Sequence, residues 1–188
     1  DSRQSIDSNP DEVIAMYITA SRPEAITMEL ELNLLRNAEV IASGNQLIYT
    51  GNAEFEKHGR GGVLFEGRIA VEIKGGTIKA DGKKLLIDKA TEVTLLSDVR
   101  TNYKNTTFAG YDYKQKCKET IEAAAKKSFK TLRNTHVEDY APLFSRVALS
   151  FGDNGKLNHL PNDQRWARVK AGESHPVLDA LFFQYARY

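Results

Sequence analysis

The sequence predicts a mainly β protein with α: an antiparallel β-sandwich followed by linker helices. Two changes of period carry that prediction. From Val13 to Val99, short runs of apolar and β-branched residues are divided by tight-turn residues, with no helical spacing between them. From Tyr111 onward the apolar residues recur every three or four positions. The stretch Arg133–Phe144 belongs to the second regime. Its Val137, Tyr140, Leu143 and Phe144 fall on one helical face, so it reads as a helix bridging two architectures.

The strands follow in order. The opening Asp1-Ser2-Arg3-Gln4 reads as polar chain leading into the turn Ser8-Asn9-Pro10-Asp11. Val13–Thr19 is apolar at nearly every position, which predicts a strand buried on both faces. After the turn Ser21–Glu24, the run Ile26–Leu32 alternates strictly. Ile26, Met28, Leu30 and Leu32 face the core, and Glu29 and Glu31 face water. Glu39–Ile41 and Gln46–Thr50 pair across Ser43-Gly44-Asn45, where glycine and asparagine make a positive φ cheap. Val63–Ile73 is a long strand, and Lys74-Gly75-Gly76-Thr77 turns the chain into Ile78–Ala80. Asp81-Gly82 is a second hairpin signal before Lys84–Ile87, and Glu92–Val99 closes the series.

Beyond Tyr111, Tyr113, Cys117, Ile121 and Ala124 place one amphipathic helix over Asp112 to about Lys127. Pro142 is expected to kink or end the next helix near Ala141. Arg146–Phe151 alternates again and predicts a returning strand, closed by Gly152-Asp153-Asn154-Gly155. Asn162-Asp163 caps a short helix through Val169. Ser174, with Pro176 just inside, starts a last helix whose Val177, Leu178, Leu181, Phe182 and Tyr185 form a broad apolar face. The expected boundaries are 1–110 for the sandwich, 111–174 for the helical linker with its strand, and 175–188 for the last helix.

Composition excludes several function classes. The chain is 41% hydrophobic and 27% charged with a formal charge of +1, so no basic face announces nucleic-acid binding. No apolar run approaches the roughly 18–20 residues that span a bilayer. Cys117 is the single cysteine, which forbids an intrachain disulfide or a multi-cysteine zinc site, and it reads as a buried structural thiol. No metal or cofactor is expected. The first residue is not Met and both ends read as cut, so a fragment of a longer protein is expected.

Few residues carry a chemical signal. Lys57-His58-Gly59-Arg60-Gly61-Gly62 is glycine-rich but precedes a strand, whereas a phosphate cradle opens a helix, so it reads as a connector and His58 as a loop histidine. Asn105-Thr106-Thr107 fits a glycosylation triplet. General acid–base catalysis by paired carboxylates needs one of them held neutral, its pKa raised by burial or a like charge. Glu29, Glu31, Glu72 and Glu92 sit at wet alternate positions, and Glu119, Glu122 and Glu138 lie among lysines or arginines, so none reads as an acid held neutral. His136 and Asp139 share a helical face and read as a structural clamp. A sugar-binding reading offers Tyr49, Phe55, Phe65 and Tyr103 as stacking candidates; Trp166, the sole tryptophan, lies on a helix instead.

The last third carries a family resemblance. His136-Val137-Glu138-Asp139-Tyr140-Ala141-Pro142-Leu143-Phe144-Ser145-Arg146-Val147 resembles the H-x-x-D-Y-x-x-L-F-x-R-V signature of the α-L-fucosidases of glycoside hydrolase family 95. Leu160-Pro161-Asn162-Asp163-Gln164-Arg165 is similar to that family's L-P-T-D-x-R, and Phe183-Gln184-Tyr185-Ala186-Arg187-Tyr188 to its F-Q-Y-G-R-Y. Ser2-Arg3-Gln4 with Ser8-Asn9-Pro10-Asp11-Glu12-Val13-Ile14 resembles S-R-E…S-x-P-D-x-V-I. Asn162, His175 and Ala186 depart from the usual Thr, Asp and Gly.

The resemblance implies an N-terminal β-sandwich, a helical linker, an (α/α)6 barrel whose first helix begins in 175–188, and a C-terminal β domain. It implies that the catalytic acid and the groups that activate water lie in the barrel, so no position here inherits a catalytic role. His136, Asp139, Tyr140 and Arg146 are expected to be structural linker residues. The implied partners are the barrel of the same parent chain and the parent's glycan substrate, an α-L-fucoside or α-L-galactoside, in the periplasm or outside the cell. A carbohydrate-binding module and a purely structural interaction domain are the alternative readings.

Overall fold

A computed structural model of the protein describes residues 2–34, 38–54, 62–103, 111–152 and 159–188. The readings at Phe55, His58, Lys57–Gly61, Asn105-Thr106-Thr107 and Asp153–Gly155 lie outside the described residues. The chain forms two compact units, Asp1–Val137 and Glu138–Tyr188.

The first unit is built on antiparallel strands: β1 (Ser2–Ser8), β2 (Val13–Thr19), β3 (Ile26–Glu31), β4 (Ala38–Ser43), β5 (Gln46–Ala53), β6 (Val63–Lys74), β7 (Thr77–Asp81), β8 (Lys84–Ala90) and β9 (Glu92–Thr101). One sheet has the order β1-β2-β9-β6-β5-β4 and the other the order β3-β8-β7. Helix α1 (Tyr113–Ala125) follows, and then α2 (Phe129–Phe144), which runs across the boundary between the units. The antiparallel sandwich followed by helices is therefore as expected.

Both hairpin signals hold. Ser43 pairs with Gln46 across Gly44, whose φ is +59°, and Asp81 pairs with Lys84 across Gly82, also at +59°. Where the chain leaves one sheet for the other, Gly76 has φ +69°, and a Cβ there would meet the Asp88 carbonyl oxygen at 2.2 Å. Only glycine fits that crossing.

The space between the sheets holds Leu47, Val71, Leu85, Ile87, Ala90 and Val93, with Met28, Leu30 and Leu32 packed against them. On β3 the expected alternation is observed, and Glu29 and Glu31 stand exposed beside Lys84 at 3.1 and 3.6 Å. The opposite face of the six-stranded sheet carries a second core. Ile6, Val13, Ala15, Ala70 and Leu96 pack there against Ile121 and Ala124 of α1 and Phe129 and Leu132 of α2. Asp112 caps α1 by accepting from the backbone N–H groups of Lys114 and Gln115. Cys117 is fully buried, as expected.

Several sequence expectations are corrected. The opening polar segment is a strand, since β1 pairs with β2 from Ser2↔Thr19 to Ser8↔Val13. As an edge strand it needs only its Ile6 face buried, and polar residues suffice elsewhere. β2 is not buried on both faces. Val13 and Ala15 face the helices, but Ile14 is 55% and Met16 37% exposed, because the three-stranded sheet is too narrow to reach them. Of the two outcomes expected at Pro142, a kink or an end near Ala141, the end is not observed, since α2 continues to Phe144. Pro142 falls in the last turn, where its missing N–H removes one bond near an end that frays in any case. The buried residues of α2 are Phe129, Leu132 and His136, while Val137 and Leu143 are exposed. Arg146–Phe151 is irregular rather than a returning strand, with no ladder partner among the described residues. Alternation alone cannot make a strand without a neighbouring edge.

Beneath α1 the sheet is charged. Residues opposite one another in a ladder share a face, and Glu66 faces Arg100 while Arg68 faces Asp98. Within each strand the pairs close as well: Arg68 Nε donates to Glu66 Oε1 at 2.8 Å, and Arg100 Nε to Asp98 Oδ2 at 2.8 Å. The Glu66 and Asp98 side chains are only 6% and 8% exposed. Glu12 extends the group, accepting from Arg100 at 3.4 Å and from Lys116 of α1 at 2.7 Å. Removing one partner of such a pair strands a desolvated charge. Arg68→Met should therefore cost about 3–5 kcal/mol in urea unfolding, and Glu66→Leu combined with Arg68→Met should recover most of it. A single-variant cost below about 1 kcal/mol would show that the layer is merely solvated surface.

Candidate functional site

The second unit contains three of the four expected linker residues, Asp139, Tyr140 and Arg146. It holds the end of α2, then α3 (Asn162–Lys170) and α4 (Pro176–Arg187). His175, not Ser174, caps α4, its Nδ1 accepting from the Leu178 N–H at 3.3 Å. The last carbonyls of α2 lack helical partners, and Arg187 supplies them. Its guanidinium donates to the carbonyl oxygens of Phe144 (2.7 Å) and Val147 (2.6 Å) and to the side chain of Gln184. It also lies 4.6 Å from the Phe144 ring centroid. Tyr140 Oη donates to the Arg187 carbonyl at 2.6 Å, and the Tyr140 ring meets Tyr188 edge-on at 5.2 Å.

The four marked residues are thus dispersed. Tyr140 joins this knot, His136 is buried in the first unit, and Asp139 and Arg146 are exposed. The residue that organises the second unit is Arg187, which sequence reading did not single out. Its signal was available: an arginine in the last turn of an amphipathic helix, four positions after Phe183, can reach carbonyls and rings together. Of the apolar face of α4, Leu178 is buried, whereas Leu181, Phe182 and Tyr185 are exposed, Tyr185 at 78%.

The first unit contains a groove of about 750 Å³. Its floor is the helix-side face of the six-stranded sheet, beyond the end of α1. Gln4, Tyr17, Thr94 and Glu72 lie directly opposite one another across β1, β2, β9 and β6. The next row brings Glu92 opposite Lys74. The wall is the α1–α2 turn and the start of α2, with Lys127, Ser128, Phe129, Lys130 and Arg133. The Tyr17 and Phe129 rings stack at 4.8 Å with planes 13° apart, which joins floor to wall.

Glu92 is the electrostatic centre of the floor. It accepts from Lys74 Nζ at 2.8 Å and from Tyr17 Oη at 2.7 Å. These two donors hold its carboxyl below the usual value of 4.5, and the same bond raises the Tyr17 phenol. The other carboxylates weighed from sequence are solvated, Glu119, Glu122 and Glu138 among them. Reading by sequence missed two buried sheet carboxylates, Glu66 and Asp98, whose signal was an arginine two positions on, on the same strand face. Burial pushes the Cys117 thiol up to about 12, so it is no nucleophile. Of the proposed stacking residues that are described, Tyr49 lies against Gly67, where a Cβ would meet its ring at 2.1 Å, Phe65 is half-buried, and Tyr103 is exposed at 72%. Among the described residues no group of three or more His, Cys, Asp or Glu is placed to hold a metal, and no helix is long and apolar enough to cross a membrane.

The lowered Glu92 carboxyl gives a signed pH dependence. A folded-state value below the unfolded one contributes stability above the unfolded value, which is lost as pH falls through the folded value. Glu92→Gln should therefore be less stable than the parent at pH 7, and the difference in melting temperature should shrink to nothing as pH is lowered below 4.5. A difference that persists unchanged however far the pH is lowered below 4.5 would contradict the pairing.

Comparison with known proteins places these features. The family described as "Glycosyl hydrolase family 65, N-terminal domain" matches residues 2–106, which takes in all the strands. The "Glycosyl hydrolase family 95 catalytic domain" matches 128–188, from the start of α2 through α4. Alpha-L-fucosidase 2 of Arabidopsis thaliana is 27% identical over 216 aligned residues, covering 100% of this chain and 25% of its own length. Probable alpha-fucosidase A of Aspergillus niger is 27% identical over 202, covering 99% of this chain and 25% of its own length. The chain therefore spans about a quarter of these relatives, and the resemblance to family 95 fucosidases read from its motifs is borne out. By the match over its whole strand region, this chain belongs to the glycosyl hydrolase family 65 N-terminal domain family.

Proposed function

We propose that this chain is the non-catalytic sandwich-and-linker portion of a glycoside hydrolase that removes terminal α-L-fucosyl, or α-L-galactosyl, residues from glycans by inverting hydrolysis. The carrying observation is the co-linear pair of matches, an N-terminal domain over 2–106 and catalytic-domain sequence over 128–188, together with full-chain alignment to two proteins named as fucosidases. In this reading the first unit is a scaffold. The Arg187 knot in the second unit fixes the ends of α2 and α4, and the exposed Leu181, Phe182 and Tyr185 receive the barrel of the same parent chain. The enzyme would work in the periplasm or outside the cell, which rests on the family resemblance.

The non-catalytic role is supported by the carboxylates. Glu66, Asp98 and Glu92 are each bound by a cation, and the others considered lie in water. The assay is turnover of an aryl α-L-fucoside. The 188-residue chain should release no aglycone above buffer. A longer protein that carries this chain and a full family 95 catalytic domain should release it, with β-L-fucose as the first anomer seen by NMR. Turnover by the chain alone would overturn the scaffold role. An inactive longer protein, on both fucoside and α-L-galactoside, would overturn the glycosidase reading.

A further inference from the structure

We propose that the groove between the six-stranded sheet and the start of α2 is a binding site for an anionic glycan, a sugar chain bearing carboxylate or sulfate groups. The choice of a glycan over other anions rests on the glycoside hydrolase reading; the choice of an anionic one rests on the groove.

The charges in the groove are unequal in their partners. Lys74 is bound by Glu92 at 2.8 Å, and Lys127 by the nearly buried Asp11. Glu72 accepts from Asn45 Nδ2 at 3.0 Å. Lys130 and Arg133 have no ion-pair or hydrogen-bond partner among the described residues, and both are exposed. Three apart on α2, they project from neighbouring positions of one helical face. Their wall is also the first turn of that helix, the positive end of its dipole. Two uncommitted cations, Lys130 and Arg133, thus face a groove in which Lys74 and Glu92 neutralise each other and Lys127 is held by Asp11; Glu72, hydrogen-bonded to neutral Asn45, is the one lining carboxylate without a cation among the described residues, so the cations are in excess. That arrangement favours an anion while leaving the floor intact.

The floor matches a sugar chain in shape and chemistry. Gln4, Tyr17, Thr94 and Glu72 stand in register across four strands. Neighbouring strands lie about 4.8 Å apart, so the row is a line of hydrogen-bonding side chains roughly 14 Å long, the reach of about three sugar rings. Amide, hydroxyl and carboxylate groups at that spacing suit the alternating donors and acceptors of a glycan. A bare inorganic anion would use the two cations and leave this row idle. The groove has volume for an oligosaccharide and is open along one side.

The test is titration of the intact chain with tetragalacturonate, a sulfated carrageenan tetrasaccharide, neutral cellotetraose and sodium sulfate, followed by NMR. At least one anionic oligosaccharide should bind more tightly than cellotetraose and shift the amides of Tyr17, Thr94 and Ser128; which one binds distinguishes a carboxylate from a sulfate ligand. Lys130→Glu with Arg133→Glu, both exposed and so compatible with folding, should weaken that binding by about tenfold or more, with an unchanged thermal melt. Lys130→Ala with Arg133→Ala should give a smaller loss. Binding of none of the probes, equal binding of cellotetraose, sodium sulfate matching either oligosaccharide, or indifference to charge reversal would each overturn the proposal. The measurement is of binding alone, so its failure leaves the fucoside assay to decide the glycosidase reading separately.

Discussion

Two arginines and two carboxylates, alternating across β6 and β9 under helix α1, are the constraint on which the first unit depends. Charges taken out of water carry a penalty that only well-aligned partners offset. Each carboxylate here has an arginine on its own strand two residues away and another directly across the ladder. The sheet can therefore be charged and covered at once. Glu12 and Lys116 carry the pairing from the sheet to the helix, and Lys127 ties the end of the helix layer to the β1–β2 turn through Asp11.

That arrangement divides one sheet face into zones with different roles. Along β6, alternate residues read Glu66, Arg68, Ala70, Glu72, Lys74, and along β9 they read Arg100, Asp98, Leu96, Thr94, Glu92. The first pair of rows is charged and roofed by α1. The middle row, Ala70 and Leu96, is apolar and packs against Ile121 and Ala124. The last rows are polar and open, because the helix layer ends before reaching them. The groove is thus a consequence of where α1 stops, and the Tyr17–Phe129 stack marks that edge.

The strands were legible because alternation, tight turns and glycine positions record local geometry directly. The helices were legible for the same reason, and the family motifs in 136–147 and 183–188 pointed to the relatives found. What sequence could not show was pairing at a distance. β1 looked like polar leader because an edge strand needs only one buried apolar residue, Ile6. Glu66 and Asp98 looked like solvated strand charges, because nothing local says that a helix more than a dozen residues further on will cover them. Conversely, Arg146–Phe151 alternated convincingly but has no edge to join. Tyr140 was singled out from its motif, but its partner Arg187 lies 47 residues on and nothing local connects them.

The account's central claim is that α1 and the six-stranded sheet are a single cooperative unit joined by the buried ion layer. Native-state hydrogen exchange tests it most directly, by comparing amides of Cys117–Ala124 with those of β6 and β9. The account predicts that the slowest amides of both exchange only by global unfolding, with the same free energy and the same denaturant dependence. Exchange of the α1 amides through a separate opening, at a free energy well below that of β6 and β9, would contradict it.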